Sequence, residues 1–396
     1  MNKLLQIYLK FWATRFLKRT KPEIIAVTGS VGKTSTKEAI FAVLKAKFGQ
    51  EVRCSEGNLN NETGVPVAIL DFKKAPSYEA TNPFGWLPII FKAPFRSLLL
   101  AKKKILVLEL AADKPGDIKY LTSFIKPKIA VLTSIGPAHL GAFGSIENIA
   151  TEKANLIKAL PPDGWAVLNI DDENVRKLSY GGRWQVLTYS IQESSDFQAK
   201  NVKTRLFKFE GMTTFLLKTR KEEFLMRLPS FGKKTNVYAA LAAASCGSIY
   251  SIGLKTVSSA LEKIHPGHHR MEILKGKKNI TLIDDCYNAN PISMRVALEL
   301  LRDLKAKRKI AVLGEMAELG KESLNAHLEI GKLAKQSADQ IYAVGRWAKR
   351  YQAKKWFPTA EDIANYILNE TKPGDIILIK GSRSVGLEKV VEQLKV

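Results

Sequence analysis

The segment IIAVTGSVGKTSTKEAI at residues 24–40 combines residue types that can bind phosphate groups. The usual spacing, G-x-x-x-x-G-K-[ST], would place its first glycine at position 27, which is Val27. The nearest glycine instead gives the shorter G-x-x-G-K-T. An apolar run precedes this loop and a helical pattern follows it, so backbone N–H groups and a helix N-terminus can surround an anion. The pattern predicts a phosphate-binding loop in which Lys33 neutralises phosphate charge and the Thr34 hydroxyl binds Mg²⁺, and its residues are Gly29, Ser30, Gly32, Lys33, Thr34 and Ser35.

Five further motifs accompany the shortened loop. They are GNLNNETGVP (57–66), LELAADKPGDIKYLTSFIKPKIAVLTSIGPAHL (108–140), DDCYNANPISM (284–294), AVLGEMAELG (311–320) and IKGSRSVGLEKVV (379–391). From about residue 24 onward the chain resembles the Mur ligases, and within them the MurF group, which adds D-alanyl-D-alanine to a muramoyl tripeptide. The resemblance implies an ATP-dependent amide ligase of peptidoglycan precursor synthesis. In such a reaction ATP phosphorylates a carboxylate, an amine attacks the acyl phosphate, and phosphate leaves. This chemistry gathers several negative charges and needs Mg²⁺ and cations.

Three residues are expected to hold the metal with Thr34 and to form the catalytic set with Lys33. Glu109 ends a predicted strand, where α/β sheets build their sites. The resemblance implies that Glu109 and His139 bind Mg²⁺, and that Lys153 occupies the position of the carbamylated lysine of Mur ligases. A carbamate would offer an oxygen ligand to a hard cation. The simpler alternatives are an exposed carboxylate, a structural histidine and a surface lysine.

The resemblance also implies binding residues in both halves of the chain. Arg270 is expected to reach the ATP phosphates and Asp285 the ribose, and Asn236 is retained from the ATP-binding pattern of the family. A plain turn is the simpler explanation for the asparagines at 58–61, and the residues of the C-terminal part act only if the domains close. The residues expected to face the substrate are Asn58, Asn60, Asn61, Asn288, Asn290, Lys380, Ser382 and Arg383.

The sequence departs from the family in two places. The family pattern G-x-H-N-x-x-N-A reads KKTNVYAA at residues 233–240, so Thr235 and Ala239 replace a histidine and an asparagine. Because that asparagine contacts adenine in the family, Tyr238 or backbone groups are the candidates to replace it. In addition, only 28 residues precede Gly29, too few for the domain with which MurF grips its UDP-linked substrate. This predicts an acceptor that is not recognised through UDP, such as a lipid-linked precursor.

The charge of the chain predicts an anionic partner. Sixty-two basic and 38 acidic residues leave a net charge of +24, concentrated in residues 1–22 and 71–104. A helix at 1–22 would be basic and aromatic, so it would lie in a membrane interface or pack on its own protein. Prolines interrupt residues 81–104, which predicts no single long helix there but either a second membrane-facing element or a lid.

Motifs and cysteines indicate the partners and the cellular compartment of the protein. No nucleic-acid-binding signature occurs, so we expect no nucleic-acid partner. The three cysteines lack CxxC spacing, which is typical of a reducing compartment. The prediction is a cytoplasmic protein that can attach peripherally to the inner face of the plasma membrane.

These side chains must be positioned by α/β elements. Apolar strand patterns at 23–29, 105–110, 128–135 and 165–170 alternate with helical patterns at 34–47, 115–125 and 145–159. They predict a doubly wound, mostly parallel sheet. A β-meander at 196–228 and a small-residue helix at 236–250 follow, and α/β alternation resumes beyond HPGHH (265–269). The predicted organisation is a basic helix (1–22), a central ATP-binding domain (23–264, with an insert at about 75–104) and a Rossmann-like C-terminal domain (265–396).

Two other functions remain open at this point. A MurT-like ligase would also act on a lipid-linked precursor, although the chain lacks the cysteine zinc ribbon usual in that group. A non-catalytic, membrane-associated nucleotide-binding scaffold would fit the changes at Thr235 and Ala239. The retained Lys33, Glu109, His139 and Lys153 argue against the scaffold.

Overall fold

A computed structural model describes residues 3–57, 59–76, 83–179, 182–207, 209–229, 234–264 and 267–396. Asn58, part of the predicted insert and part of the HPGHH boundary lie outside the described residues. Two sheets organise the rest, so the predicted α/β class, with parallel strands and flanking helices, is confirmed.

The first sheet contains nine strands within the described residues. Its order is β2-β3-β1-β4-β5-β6-β7-β8-β9, parallel as far as β7 and antiparallel from β7 to β9. The antiparallel end is the predicted meander. The strands are β1 Glu23–Thr28, β2 Val52–Cys54, β3 Ile105–Glu109, β4 Ile129–Leu132, β5 Trp165–Asn169, β6 Gln185–Ser190, β7 Phe197–Phe207, β8 Glu210–Lys218 and β9 Glu223–Leu228.

Helices cover both faces of this sheet, because its central strands are apolar on both sides. One face packs against α2, α9 and α10, and the other against a group that includes α1, α5 and α7. The helices of this half are α1 Lys3–Thr20, α2 Lys33–Phe48, α3 Gly64–Ile69, α4 Leu87–Leu99, α5 Asp117–Thr122, α6 Leu140–Phe143, α7 Ile146–Lys158, α8 Glu173–Arg176, α9 Thr235–Ile249 and α10 Leu254–Leu261.

The second sheet has the order β10-β11-β15-β12-β13-β14. Its strands are parallel except for the antiparallel pair β10–β11. Separate apolar clusters cover its two faces. The elements are β10 Glu272–Gly276, β11 Ile280–Asp284, α11 Pro291–Asp303, β12 Arg308–Gly314, α12 Ser323–Ser337, β13 Gln340–Val344, β14 Lys355–Phe357, α13 Ala360–Glu370, β15 Asp375–Lys380 and α14 Glu388–Leu394.

The basic N-terminal helix α1 packs beside α4, the helix of the insert. As predicted, the described part of the insert is not one long helix, because a 3-10 turn at Pro83–Trp86 precedes α4 and Pro88 lies in the first turn of α4. The break predicted at Pro94 is absent, since α4 runs through this residue. Proline at this position removes the N–H that would bond the carbonyl of Ile90 four residues earlier. The Tyr8 hydroxyl of α1 donates to that carbonyl at 2.8 Å. A residue distant in sequence therefore replaces the hydrogen bond that the proline removes. Among the described residues, we find no helix that is both long and apolar enough to cross a bilayer.

Candidate active site

A polar cleft lies between the two sheets and collects most of the predicted site residues. Its empty volume is about 1270 Å³, part of it open to solvent. The first sheet supplies the glycine loop and the ends of its parallel strands, and the second sheet supplies the loop after β11. The predicted residues that line the cleft are Ser30, Gly32, Lys33, Thr34, Ser35, Asn60, Glu109, His139, Asn236, Arg270, Asp285, Asn288, Asn290 and Lys380.

The glycine loop joins β1 to α2 in the predicted way. Gly29 and Gly32 have φ angles of 151° and 84°, a region that side chains with a Cβ rarely adopt. A Cβ on Gly29 would also lie 1.9 Å from Thr133 Oγ1. Helix α2 begins at Lys33, so the N–H groups of its first turn have no partner within the helix and are available to an anion. The loop can therefore bind phosphate oxygens through its backbone as well as through Lys33.

Glu109, at the end of β3, is buried at the floor of the cleft. Asn60 Nδ2 donates to Glu109 Oε1 at 2.9 Å. Glu109 Oε2 is buried without a hydrogen-bond partner in the described structure, and Lys37 Nζ is 3.9 Å away from it. A buried carboxylate oxygen without a donor is costly unless a cation or a proton completes it. This oxygen fits the donor set that a hard divalent cation prefers.

His139 is oriented by carboxylates from both halves of the protein. Its Nδ1 is 2.8 Å from Glu318 Oε2, and its Nε2 is 3.4 Å from Asp113 Oδ1. The contact with His139 lowers the pKa of the Glu318 carboxyl. A hydrogen bond from Nδ1–H to Glu318 would leave the Nε2 lone pair free for a metal, as in many metal-binding histidines. His139 also has a φ of 55°, an uncommon conformation that is concentrated at functional sites.

Lys153 does not line the cleft but lies directly beneath the glycine loop. Its side chain is buried, and its Nζ donates to the Gly29 carbonyl at 3.2 Å. Burial, followed by the charge of Lys33, lowers the pKa of Lys153 to about 7. Burial also lowers the pKa of Lys33, while the Glu109 carboxylate opposes that shift. At neutral pH Lys153 therefore exists partly as the uncharged amine.

The second sheet presents a buried ion pair to the cleft. Lys380 Nζ is 2.6 Å from Asp285 Oδ2 and donates to the Asn288 carbonyl at 3.0 Å. The backbone N–H of Met271 donates to Asp285 Oδ1 at 3.2 Å. Burial raises the pKa of Asp285, and Lys380 counteracts this effect. The pair fixes the carboxylate, while the remaining lone pairs of Asp285 can still accept hydrogen bonds from a ligand.

Arg270 and Arg383 lie on the same aromatic ring. The Arg270 guanidinium carbon is 3.7 Å from the centre of the Tyr287 ring, and that of Arg383 is 5.6 Å away. Such stacking orders a guanidinium without using its N–H donors. Arg270 faces the cleft with those donors available, whereas Arg383 is not among the lining residues.

Several residues predicted to face the substrate are engaged within the protein. Asn61 Oδ1 accepts from the backbone N–H of Gly64, at the start of α3, at 2.8 Å. Ser382 is buried, and its Oγ accepts from the N–H of Ala317 at 2.8 Å. Asn290 lines the cleft but caps α11, with Oδ1 accepting from Ser293 N at 2.9 Å. Neither Asn61 nor Ser382 lines the cleft.

The two residues that differ from the family pattern at 233–240 lie at one end of the cleft. Thr235 lines the cleft, and Ala239 lines a smaller adjoining pocket that shares Ser35 and Asn236 with it. The remaining lining residues of that pocket are Glu38, Ala39, Leu228, Ala240, Leu261, Ile264 and Gly267.

Tyr238, a candidate to replace the missing asparagine, lines a neighbouring cleft that shares Gly32 and Thr235 with the main one. Its hydroxyl donates to Asp171 Oδ2 at 2.8 Å. Glu38 is instead the charged side chain of the small pocket, and burial raises the pKa of its carboxyl.

Sequence reasoning missed three acidic residues near these sites: Asp113, Glu318 and Glu38. Asp113 lies four residues after Glu109 and Glu318 lies within AVLGEMAELG, so both were inside recognised motifs. Their acidic side chains near a histidine motif were the available signal, but only the fold shows that they flank His139.

Comparison with known proteins identifies the family that the two halves of the chain match. The model of the Mur ligase middle domain matches residues 27–82 and 87–247, and that of the Mur ligase glutamate ligase domain matches residues 269–383. The UDP-N-acetylmuramoyl-tripeptide–D-alanyl-D-alanine ligase of Buchnera aphidicola is 32% identical over 95% of the chain and 77% of its own length. The ligase of the same name from Bacillus subtilis is 29% identical, over 96% and 78%. The crystal structure of MurF ligase from Thermotoga maritima in complex with ADP superposes with a TM-score of 0.82 at 26% identity, over 99% of this chain and 84% of that one.

Proposed function

Because the chain belongs to the Mur ligase family and is an ATP-dependent, ADP-forming, MurF-like peptidoglycan ligase, we propose that it joins D-alanyl-D-alanine to a muramoyl peptide. The observation that carries this proposal is the cleft in which the glycine loop and Glu109 face Arg270 and Lys380. The first sheet supplies the loop N–H groups and Lys33, and the second half supplies Arg270 and Lys380. Transfer of a phosphoryl group requires such donors and cations around the phosphate oxygens. An enzyme of this kind is not the non-catalytic scaffold considered as an alternative function.

The proposed reaction has two steps. A carboxylate oxygen of the muramoyl peptide attacks the terminal phosphorus of ATP, the bond from that phosphorus to the ADP oxygen breaks, and an acyl phosphate forms. The amine nitrogen of D-alanyl-D-alanine then attacks the acyl carbon. The C–N bond forms, the C–O bond to phosphate breaks, and the amine loses a proton. Lys33 and the loop N–H groups stabilise the charge on the transferred phosphoryl group.

We assign Mg²⁺ to the floor of the cleft, where the residues present fit it. Glu109 supplies a buried oxygen without a hydrogen-bond donor, and His139 is oriented by Glu318. The Thr34 hydroxyl and, after carbamylation, the Lys153 side chain complete the proposed set. When bound, Mg²⁺ would neutralise charge on phosphate oxygens.

Lys153 has the environment that carbamylation requires. An uncharged amine reacts with CO₂ to give a carbamate and one proton, and a pKa of about 7 makes that amine available at neutral pH. The product would be an anion beside Lys33, so the charge of Lys33 that now opposes the ammonium would stabilise the carbamate.

The roles of the remaining residues follow from their positions in the cleft. Arg270 would contact the ATP phosphates and Asp285 the ribose, with Lys380 holding the aspartate in place. Asn60 would orient Glu109, since its amide already donates to that carboxylate. The side-chain NH₂ group of Asn290 is the part left to face the ligand.

A second candidate acceptor is a lipid-linked precursor. The observation that favours it is the apolar and basic surface of α1 and α4, which suits a protein attached to the cytoplasmic face of a membrane. A lipid-linked acceptor would be presented at that surface, whether D-alanyl-D-alanine or, as in MurT-like ligases, another amine donor is used.

The test supplies the protein with ATP, Mg²⁺ and D-alanyl-D-alanine and offers the muramoyl tripeptide in UDP-linked or lipid-linked form. Product mass and phosphate release are measured, with Lys33→Ala as the inactive control. Ligation of the UDP-linked form supports the first proposal, and ligation of only the lipid-linked form supports the second. Failure of both acceptors with ATP still bound would reject both.

A further inference from the structure

Helices α1 and α4 form one exposed apolar surface, which we call the α1/α4 face. Eight of the thirteen large hydrophobic residues that are exposed in the described structure lie on it, so the exposure is concentrated rather than scattered. Contiguous patches of this kind in soluble proteins mark interaction sites. The residues of the face are Leu4, Ile7, Phe11, Leu87, Phe91, Phe95, Leu98 and Leu99.

Hydrogen bonds hold the two helices side by side and in the same direction. Tyr8 of α1 donates to the Ile90 carbonyl of α4 at 2.8 Å. Further along α1, Arg19 donates to the carbonyls of Ser97 at 3.0 Å and Leu100 at 2.6 Å. The apolar stripe of α1, with i, i+3 and i+7 spacing, therefore runs beside that of α4. The face is a fixed two-helix surface and not a loose terminal segment.

The exposed residues are not needed for the packing of these helices. Leu9, Ala13 and Phe16 of α1 are fully buried, and Ala93 of α4 is buried against the same core. Exposed Phe91 and Phe95 are 69% and 65% accessible, so they contribute little to folding. Their exposure is unfavourable in water and becomes favourable when an apolar phase covers them.

Charge identifies the occupant of this face. Neither helix, both fully described, contains an acidic residue. Five exposed cations lie on these two helices, and three lysines follow α4 at 102–104. A second copy of the chain would bring these cations against their own counterparts, whereas an anionic lipid surface provides both the apolar phase and the opposite charge. The exposed cations are Lys3, Arg15, Lys18, Arg19 and Lys92.

We propose that the α1/α4 face binds the surface of an anionic lipid bilayer. Both helices lie parallel to the membrane plane, with the aromatic residues at the level of the acyl chains and the cations at the headgroups. This matches the finding that no described helix could cross the bilayer. The proposal does not depend on which acceptor is ligated, because it concerns a surface outside the cleft.

The test is flotation of the full chain with vesicles of phosphatidylglycerol and phosphatidylcholine, compared with vesicles of phosphatidylcholine alone. We expect binding to the anionic vesicles that weakens as salt is raised. The double variant Phe91→Ser, Phe95→Ser should bind at least tenfold more weakly. The control is Met212→Ser, Leu225→Ser, which removes two exposed apolar residues from β8 and β9 and should bind like the original chain.

Three outcomes would overturn the proposal. The first is failure of the original chain to bind anionic vesicles at low salt. The second is binding of the Phe91/Phe95 variant as strong as that of the original chain. The third is a loss of binding in the control as large as that in the Phe91/Phe95 variant. Sedimentation of the free protein tests a second copy as the occupant. A dimer that disappears in the Phe91/Phe95 variant, without vesicle binding, would assign the face to self-association instead. Circular dichroism and thermal unfolding of the free proteins verify that both variants remain folded.

Discussion

Lys33 and Lys153 both donate to the carbonyl oxygen of Gly29, at 2.8 and 3.2 Å. One ammonium approaches this oxygen from the cleft and the other from the buried side of the glycine loop. Burial lowers the pKa of both lysines, and the charge of Lys33 lowers the pKa of Lys153 further. The pair therefore gives two lysines different tasks: Lys33 remains near the phosphate site, and Lys153 becomes an amine that can lose its charge.

Replacing Lys33 by alanine should nearly abolish turnover. Its ammonium is the cation next to the loop N–H groups, so its loss removes stabilisation of the transferred phosphoryl group. Loss of one such donor costs about 100-fold or more in kcat. Phosphate release in the presence of both substrates measures the effect. The control is Lys45→Ala, which removes an exposed lysine from the other end of α2 and should leave kcat unchanged. A comparable loss in both variants would contradict a specific role for Lys33.

Lys153 should take up CO₂ as the pH rises. Because its pKa is lowered to about 7, the uncharged fraction increases steeply between about pH 6 and 8, whereas an ordinary lysine stays protonated there. At a fixed CO₂ pressure the carbamate should increase over the same range. The measurement is the ¹³C NMR signal of the carbamate carbon after equilibration with labelled CO₂.

Two variants separate Lys153 from other lysines in that experiment. Lys153→Arg should lose the carbamate signal, and Lys158→Arg, which changes an exposed lysine on the same helix, should keep it. A signal that survives in Lys153→Arg would place the carbamate elsewhere. The absence of any signal up to about pH 8 would remove the carbamate from the proposed metal site.

Glu109→Gln should raise the Mg²⁺ concentration needed for half-maximal activity. The amide oxygen of glutamine can still accept the hydrogen bond from Asn60, so the change mainly removes the negative charge. Loss of partners at metal sites commonly weakens metal affinity by about 10- to 100-fold, and we expect an effect of at least this size. Activity is titrated with Mg²⁺, and Glu173→Gln, an exposed change, is the control. An unchanged Mg²⁺ requirement would exclude Glu109 as a ligand.

Periodicity was enough to predict the main elements of both sheets. The predicted strand at 23–29 corresponds to β1, and the predicted helix at 34–47 corresponds to α2. Both segments are marked by the arrangement of their apolar residues along the sequence. The course of α4 was not predictable in this way. It continues through Pro94, and Tyr8, 82 residues away from Ile90, supplies a hydrogen bond to the carbonyl that the proline leaves without its helical donor. Local rules for proline contain no information about such a partner.

The site was predictable in residue type but not in the use of each polar atom. Glu109 and His139 were predicted from motifs, and they do face one cleft. Asn61 and Ser382 also belong to motifs, yet their oxygens accept hydrogen bonds from the backbone of their own domain. Which lone pair remains free depends on the turn that surrounds the residue. The sequence alone does not specify that geometry.

The pocket beside the glycine loop gives a prediction about the nucleotide base. It adjoins the phosphate cleft, it is mostly apolar, and it is lined by Ala239, the position at which the resemblance implies an adenine-binding asparagine. Ser35, Glu38 and Asn236 provide the polar side chains of this pocket. A carboxylate accepts hydrogen bonds and repels carbonyl oxygens. We therefore expect Glu38 to favour the 6-amino group of adenine over the 6-oxo group of hypoxanthine.

Glu38→Gln should accordingly reduce the preference for ATP over ITP. The glutamine amide can donate to a 6-oxo group, which removes the penalty of an unpaired buried acceptor, about 1–3 kcal/mol or roughly 5- to 150-fold in kcat/KM. The ratio of kcat/KM for the two nucleotides is measured for both proteins. Since burial raises the pKa of Glu38, the preference of the original chain should also decline on acidification at a higher pH than an exposed carboxylate would require. A ratio that is unaffected by the substitution would show that backbone groups, and not Glu38, read the base.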